Sequence, residues 1–290
     1  MVKTSFLRSL VLFVLLFLFL NMRDSLAKSI VVESKIIHSA ILDRDVSIDI
    51  YLPTHVKHPG DMNLLLINDG QDLIKMPFEN ILNDLYYYEE IAPVLCVGIH
   101  CSTDRKHEYG MANFPDYLGR GSKAGLYTRF ILEELIPFIK HSFHIPFFRS
   151  QAFAGFSLGG LMALDIVWNH SDIFSKVGVF SGSLWWRRKA YEDGYTDASD
   201  RLMHNQVRDS TSSPLLKFYF QAGTEDETSD RNGNGIIDSI DDTKDLIDLL
   251  YSKSYDKDSI QYAEIIGGKH DVDTWAKALP DFLKWGWGRK

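Results

Sequence analysis

Short runs of aliphatic and aromatic residues alternate along the chain with longer segments of helical periodicity. The runs predict β-strands, because they are rich in β-branched or aliphatic side chains and are bounded by turn-forming residues. Those that follow residue 64 are apolar at nearly every position, which is typical of strands covered on both faces. The predicted strands are 46–52, 64–68, 94–99, 151–154, 176–180, 218–222 and 261–265.

Amphipathic helices are predicted between several of these strands. One apolar helix face is formed by Phe130, Ile131, Leu135, Phe138 and Ile139. Further helices are predicted over 161–168, 245–251 and 274–284.

This alternation predicts the fold class. Strands that alternate with helices require crossover connections, so we expect an α/β fold with a mostly parallel, doubly wound sheet. The first strands have no helix between them and predict an antiparallel edge at the N-terminal side. In such a sheet the functional site lies at the carboxyl ends of the strands.

The N-terminal segment has the pattern of a secretory signal peptide. Lys3 and Arg8 precede an apolar run over 10–20, and Ser25 and Ala27 supply small residues at the expected cleavage positions. We therefore expect a signal peptide over 1–27 and a secreted or periplasmic protein, with an uncleaved N-terminal anchor as the alternative. Residues 28–290 fit a single domain.

The charge of the chain limits its partners. The whole sequence has a formal net charge of −8, and segment 1–27 contributes +2, which leaves −10 for residues 28–290. An acidic chain is poorly suited to bind nucleic acid or an anionic membrane. We expect no nucleic-acid partner, and no membrane partner once the signal peptide is removed.

The two cysteines, Cys96 and Cys101, do not form a metal motif. On a regular strand they would point to opposite faces, so a disulfide requires a sharp turn between them. Cys96 is predicted to be a buried apolar residue, and the state of Cys101 stays open.

A nucleophile motif follows the predicted strand 151–154. The sequence Gly155-Phe156-Ser157-Leu158-Gly159 has the G-x-S-x-G pattern and leads directly into a helix. In this context the serine occupies a sharp strand-to-helix turn, and the glycines let the two elements approach closely. Ser157 is therefore predicted to be a catalytic nucleophile, with an ordinary glycine-rich turn as the alternative.

A serine nucleophile needs a histidine base and an acid. In folds with this strand–serine–helix turn, the three residues follow one another along the chain in the order Ser, acid, His. Three histidines come after Ser157. His170 is predicted at a helix end and His204 in a solvated loop, whereas His270 follows the last strand through glycines and is the predicted base. Three carboxylates, Glu225, Asp226 and Glu227, follow strand 218–222; Asp226 is the predicted acid, with Glu225 as second choice.

Further residues are expected at the same end of the sheet. The oxyanion hole should use the N–H groups of Leu158 and Gln71. Trp185 and Trp186 follow strand 176–180 and are predicted to bind substrate, although buried packing remains the alternative for at least one of them.

A second motif resembles a calcium-binding loop and occupies 230–241. Its spacing is that of the EF-hand loop, with glycine at position 6 and a backbone carbonyl at position 7. Position 12 is Asp rather than Glu, as in dockerins, which weakens the expected coordination. The alternative is an acidic turn without metal. The predicted ligands of this structural Ca²⁺ are Asp230, Asn232, Asn234, Ile236, Asp238 and Asp241.

Short motifs spread over most of the chain lead to a family resemblance. They are Tyr51-Leu52-Pro53, Asn68-Asp69-Gly70-Gln71, Asp104-Arg105, Glu108-Tyr109, Glu134-Leu135-Ile136-Pro137, the elbow through Leu161, Phe180-Ser181-Gly182-Ser183-Leu184-Trp185, and Gly268-Lys269-His270-Asp271 leading to Trp275. With them the chain resembles the putative-esterase branch of the α/β-hydrolases, which includes siderophore esterases, S-formylglutathione hydrolases, feruloyl and acetylxylan esterases and mycolyltransferases.

The resemblance implies an α/β-hydrolase fold with Ser157 as nucleophile and His270 as base. The family acid maps to Asp226, and members that use Glu keep Glu225 open. The calcium-like segment is not general to the family.

The expected function is therefore that of a serine carboxylic-ester hydrolase acting through an acyl-enzyme, without a catalytic cofactor. Its expected substrate is a small-molecule or carbohydrate-linked ester, such as a siderophore, feruloyl or acetyl ester. Two alternatives stay open: an acyltransferase that passes the acyl group to an alcohol, and a non-catalytic binding module of the same fold.

Overall fold

The protein is seen here in a computed structural model that describes residues 29–54, 56 and 58–289. Within this part of the chain, eight strands form one sheet in the order β1-β2-β4-β3-β5-β6-β7-β8. The strands are β1 Ile30–Ser39, β2 Arg44–Pro53, β3 Asn63–Asn68, β4 Val94–Ile99, β5 Gln151–Phe156, β6 Lys176–Phe180, β7 Lys217–Glu225 and β8 Ile260–Lys269.

The helices connect the parallel strands and cover both faces of the sheet. They are α1 Phe78–Tyr87, α2 Arg105–Glu108, α3 Ala124–Arg129, α4 Ile136–Ser142, α5 Leu158–Asn169, α6 Asp197–Asp200, α7 Leu202–Asp209, α8 Asp238–Ser252 and α9 Val272–Trp287. A π-helical segment, Phe130–Leu135, joins α3 to α4.

The sheet confirms the predicted architecture. β1 pairs with β2, and β2 with β4, in antiparallel orientation, whereas all pairs from β4 to β8 are parallel. The seven predicted strands correspond to β2–β8, several of them longer than expected. β1 was missed because charged residues interrupt its apolar positions, as a sheet edge facing solvent allows.

Two hydrophobic clusters flank the sheet, and β3 contributes to both. Leu64 and Leu66 pack on the side of α3, α4, α5, α7 and α8. Leu65 and Ile67 pack against α1 and α9 on the other side. All four side chains are fully buried, which explains why this strand has no polar alternation.

The segment 1–27 predicted as a signal peptide lies outside the described residues. Among the residues that are described, none of the helices has the length and apolar character needed to span a membrane. Cys96 is buried, as predicted, and both cysteines are free thiols.

Candidate active site

Ser157 lies in the turn between β5 and α5. Its backbone has φ 55° and ψ −122°, a region that non-glycine residues rarely occupy and that is found at strained functional turns. Its N–H donates to the carbonyl of Phe180 at 2.8 Å. The predicted elbow is therefore present, and the neighbouring strand helps to hold it.

The glycines of the motif are required by close backbone contacts. A Cβ on Gly155 would lie 2.2 Å from the carbonyl oxygen of Gly159, and one on Gly159 would lie 2.6 Å from a carboxylate oxygen of Asp69. Both distances are far below van der Waals contact. The strand, the helix and the loop after β3 thus meet at the serine only because these positions have no side chain.

An irregularity between β7 and β8 positions the predicted acid and base. Gly223 pairs with Ile265 but Glu225 pairs with Lys269, so β8 contains two extra residues at this point. A Cβ on Gly223 would lie 2.3 Å from the carbonyl oxygen of Gly268. This close approach of the two strands brings the end of β8 next to the loop that follows β7.

The structure brings Asp226 and His270 together at that crossing. His270 Nδ1 lies 3.8 Å from Asp226 Oδ1, with the Asp226 side chain fully buried and the His270 side chain 41 % exposed. Glu225, the second choice, is exposed. Glu227 instead accepts a hydrogen bond from the backbone of Ser239. Asp226 is therefore the carboxylate of this group that faces the histidine.

No hydrogen bond joins the acid to the base among the described residues. The 3.8 Å distance exceeds a hydrogen bond, and among the described residues no hydrogen bond joins Ser157 Oγ to His270. Catalytic hydrogen bonds are often long before substrate binds. A small rotation of the half-exposed imidazole would shorten the distance to Asp226.

Burial and nearby charges set the protonation of this pair. Burial lowers the pKa of His270, Asp226 raises it, and the Arg105 guanidinium lowers it. Burial raises the pKa of Asp226, while the hydrogen bond from Ser181 and the proximity of His270 lower it. A neutral imidazole at neutral pH is the form that can act as a general base.

Gln71, the second predicted oxyanion donor, lies in a short 3₁₀ turn, Gly70–Asp72, after β3. Its side-chain Oε1 accepts the N–H of Cys101 at 3.0 Å, and its Nε2 lies 3.2 Å from Cys101 Sγ. These contacts tie the turn to the end of β4. Leu158, the other predicted donor, is the first residue of α5, where the N–H has no partner within the helix.

An ion pair braces the same turn against the nucleophile. Asp69, in the left-handed conformation with φ 59°, receives two hydrogen bonds of 2.7 Å from Arg105. Arg105 Nη2 also lies 3.3 Å from the carbonyl oxygen of Phe156. Asn68 Nδ2 donates to the Gly159 carbonyl at 2.8 Å. Both sides of the turn after β3 are thereby fixed to the elbow.

The remaining histidines after Ser157 lie away from this pair. His170 caps the C-terminal end of α5, as predicted. His204 was expected in a solvated loop, which is wrong: it is buried in α7, with Nε2 2.9 Å from the carbonyl oxygen of Asp242. Burial lowers its pKa to about 3. Helix α7 was not predicted from the sequence. Its apolar residues surround His204 and explain the difference.

Comparison with known proteins decides the family. Residues 39–285 match the model of the family described as putative esterase. The chain belongs to this family. Membership confirms the predicted carboxylic ester hydrolase. A curated relative is an uncharacterized protein of Bacillus subtilis, YbbA, 22 % identical over 83 % of this chain and 92 % of its own.

Solved structures of esterases share the fold. The enterobactin esterase FES of Shigella flexneri is 21 % identical with a TM-score of 0.68, over 89 % of this chain and 59 % of that one. The chain thus spans about three fifths of that protein. An IroE-like serine hydrolase of Shewanella oneidensis is 18 % identical with a TM-score of 0.65, over 88 % of this chain and 80 % of its own.

In this esterase the two predicted substrate-binding tryptophans have different environments. Trp186 is fully buried, and its Nε1 donates to the carbonyl of Phe114 at 2.9 Å. Its indole fills the space beside Gly110 and Gly121, where a Cβ would lie within 3 Å of the ring. Trp186 therefore matches the alternative of buried packing that the sequence left open for at least one of the two tryptophans, because the core packs against the whole ring.

Trp185, by contrast, is half-buried and lines an open cleft of about 290 Å³. The Arg120 guanidinium lies 4.9 Å from its ring centroid. Arg187 lies 4.7 Å from the ring of Tyr117 and 4.0 Å from that of Tyr191. Glu227, next to Asp226 in sequence, also lines this cleft.

The predicted calcium loop turns its polar side chains inward. Asp230 accepts the N–H groups of residues 233, 234 and 235 at 2.8, 3.2 and 2.9 Å. Asn232 and Asn234 donate to Asp241 Oδ2 at 2.9 and 2.7 Å. The loop therefore closes on itself through the residues that the motif names.

Asp238, another predicted ligand, has a protein partner instead. It begins α8 and accepts the N–H of Arg231 at 2.9 Å, and its Oδ1 lies 3.2 Å from Arg231 Nη1. Across the described residues, no group of three or more His, Cys, Asp or Glu side chains is arranged to hold a metal ion. A cation at this loop would depend on the two carboxylates of Asp230 and Asp241 together with Asn side-chain and backbone carbonyl oxygens.

Sequence reasoning missed the supporting residues of the site. Asp69, Arg105, Ser181 and Trp275 all occur in the motifs that carried the family resemblance, but no role followed from spacing alone. Their signal is a polar or aromatic residue at the end of a buried strand or at the start of a helix. Only the fold shows which of them meet.

Proposed function

We propose that the protein hydrolyses carboxylic esters through Ser157, His270 and Asp226, with an acyl-enzyme intermediate. The observation that carries the proposal is the Asp226–His270 pair, 3.8 Å apart, at the carboxyl ends of β7 and β8. The nucleophile elbow lies at the same end of the sheet, after β5. Acyl transfer to serine requires an acid, a base and a nucleophile close together, and the position of all three at one end of the sheet supports the proposal.

In the proposed reaction, Ser157 Oγ attacks the ester carbonyl while His270 takes its proton. Asp226 stabilises the resulting imidazolium, and the N–H groups of Leu158 and Gln71 receive the developing oxyanion. The tetrahedral intermediate collapses, and His270 returns the proton to the leaving alcohol. Water, deprotonated by the same histidine, then hydrolyses the acyl-enzyme and frees Ser157.

The cleft beside Trp185 is the proposed place for the part of the substrate that extends from the scissile bond. Aromatic faces, as at Tyr117 and Tyr191, stack on planar groups or sugar rings, and guanidinium groups donate to oxygen-rich ligands. We propose an extracytoplasmic siderophore, feruloyl or acetyl ester as substrate, in keeping with the neighbouring structure described as an enterobactin esterase.

The test is hydrolysis of p-nitrophenyl acetate and butyrate by residues 28–290. Ser157→Ala should abolish turnover, while Ser175→Ala, a serine at the opposite end of β6, should retain the wild-type rate. Full activity in Ser157→Ala, or no hydrolysis by the wild type across several acyl lengths, would contradict the mechanism. Product partition towards an added alcohol acceptor would instead indicate the acyltransferase.

We further propose that loop 230–241 binds a structural Ca²⁺. The inward-facing Asp230, Asn232, Asn234 and Asp241 support this, and the loop begins four residues after Asp226. Calcium should therefore raise Tm, and a chelator should lower both Tm and activity. The Asp230→Ala variant should lose the calcium response, and magnesium serves as the control cation. Equal Tm with calcium, magnesium and chelator would contradict the site.

The proposed localisation is outside the cytoplasm. It is supported by the basic start, the apolar run and the small residues at 25 and 27. N-terminal sequencing of protein recovered from an exporting host should begin at Lys28. A mature chain that still begins at Met1 would contradict cleavage.

A further inference from the structure

Trp275 is an almost fully buried residue in the first turn of α9, next to the candidate acid–base pair. Its ring stacks on Phe156, with centroids 5.1 Å apart and planes at 24°. The same ring packs edge-on against His270, at 5.3 Å and 82°. One aromatic side chain thus contacts both the base and the residue that precedes the nucleophile.

A chain of two hydrogen bonds leads from Trp275 to the acid. Trp275 Nε1 donates to Ser181 Oγ at 2.9 Å, and Ser181 Oγ donates to Asp226 Oδ1 at 3.0 Å. An indole N–H can only donate, and an ionised carboxylate can only accept. The single hydroxyl hydrogen of Ser181 therefore points to Asp226, and the direction of the chain is fixed.

Ser181 is itself held in an unusual position. It follows β6 with φ 44°, and its N–H donates to the carbonyl of Gln221, in β7, at 2.8 Å. This non-glycine residue in the left-handed region is 3 % exposed. This strained backbone conformation places the Ser181 hydroxyl directly between the indole and the carboxylate, as is found at functional sites.

The electrostatics of Asp226 give this hydroxyl a role. Burial raises the pKa of Asp226, and the hydrogen bond from Ser181 lowers it, because a donor stabilises the ionised form. The other carboxylate oxygen, Oδ2, is buried without a hydrogen-bond partner. Oδ1, the oxygen bound by Ser181, is also the one that faces His270 Nδ1.

We propose that Ser181 and Trp275 are positioning residues of the esterase, in which Trp275 acts through the Ser181 hydroxyl to keep Asp226 ionised and its Oδ1 directed at His270. The inference rests on the proposed catalytic roles of Asp226 and His270. Neither Ser181 nor Trp275 exchanges a proton with the substrate.

The other charged groups around the pair stay unchanged in the test. Arg105 and Asp271 act on His270 in addition to Asp226. Asp271 also acts on Asp226, and Glu227 and Tyr262 lie near that carboxylate. A shift in the pH profile of a Ser181 or Trp275 variant therefore reports the lost hydrogen bonds.

The experiment measures kcat and KM for p-nitrophenyl butyrate from pH 4 to 9. The variants are Ser181→Ala, Trp275→Phe and the two combined. Matched controls are Ser175→Ala, at the other end of β6, and Trp285→Phe, on the same helix but packed against Tyr219. Ser181→Gly is added because glycine accepts the positive φ without strain, so a folding defect cannot account for its loss of rate.

We expect kcat to fall about tenfold to hundredfold in both Ser181 variants, with KM little changed, since a hydrogen bond to a charged group is lost. The acid limb of kcat/KM, which protonation of His270 sets, should move to higher pH, because a carboxylate that has lost its donor is more basic and holds the imidazolium of His270 more tightly. Trp275→Phe should shift the acid limb of kcat/KM in the same direction, by a smaller amount than the Ser181 variants. The double variant should be no slower than Ser181→Ala.

Other outcomes would overturn the inference. A rate loss that is uniform over pH, with an unmoved acid limb, would mean that Ser181 has only a structural role. If the pH profiles of the Ser181 variants equal those of the two controls, Ser181 has no role in catalysis. If the wild type does not hydrolyse the ester, or Ser157→Ala does, the failure belongs to the proposed function and not to the positioning residues.

Discussion

Replacing Arg105 by alanine is expected to destabilise the protein far more than the same change at Arg129. Both arginines make bidentate ion pairs. Arg105 binds Asp69 at 2.7 and 2.7 Å, and Arg129 binds Glu133 at 2.9 and 3.0 Å. The Asp69 side chain is 2 % exposed, whereas those of Arg129 and Glu133 are 55 and 53 % exposed.

The difference in burial sets the magnitude. Arg105→Ala removes two charge-assisted hydrogen bonds and leaves the Asp69 carboxylate buried without its counter-charge. Breaking one side of a buried pair costs about 3–5 kcal/mol, which corresponds to a fall in Tm on the order of 10 °C for a chain of this size. In Arg129→Ala both partners are already hydrated, so the free energy of unfolding should hardly change.

Urea denaturation followed by tryptophan fluorescence measures both variants. Adding Asp69→Asn to Arg105→Ala should recover part of the lost stability, because the amide that replaces the carboxylate is neutral and leaves no unpaired charge in the core. Ester hydrolysis should also fall in Arg105→Ala, since the turn that carries Gln71 loses its brace. Equal losses of stability at the two arginines would refute this reasoning.

Three further predictions concern helix α5, the nucleophile elbow and the candidate base. Burial raises the pKa of Asp165 in α5 to about 6. The stability that this carboxyl contributes is therefore present below about pH 4 and is lost as pH rises through about 6. Asp165→Asn should gain stability relative to the wild type between pH 4 and 7, measured as Tm, and a difference in Tm that stays constant over this range would contradict the prediction. Gly155→Ala places a Cβ 2.2 Å from the Gly159 carbonyl and should lower kcat more than tenfold, whereas Gly125→Ala, in helix α3 with ordinary contacts, should keep full activity. Because burial lowers the pKa of His270, kcat/KM should rise with pH through a midpoint below the usual pKa of histidine, about 6.5, and a midpoint above 7 would count against His270 as the base.

The family comparison and the sequence agree on the fold for a simple reason. Strands such as β3 and β4, covered on both faces, must be apolar at every position, so their pattern is visible without a structure. The turn at Ser157 has a similarly local cause, since only glycine fits beside it. The edge strand β1 and helix α7 lack such a pattern, and they were missed.

The sequence by itself determined the order of the elements, the elbow at Ser157 and the positions of Asp226 and His270 after their strands. These depend on local chemistry: apolar runs, glycines at close approaches and polar residues at strand ends. It did not determine which tryptophan is open to solvent, because Trp185 and Trp186 are adjacent and only the loops packed around them separate their environments.

Tertiary structure alone decided the partners of the site. The contacts Arg105–Asp69 and Trp275–Ser181–Asp226 join residues that are 36, 94 and 45 positions apart. No periodicity of a single chain encodes such pairs, because each depends on how the sheet twists and how far the loops extend beyond it. They form when β3, β6, β7 and α9 meet at one end of the sheet.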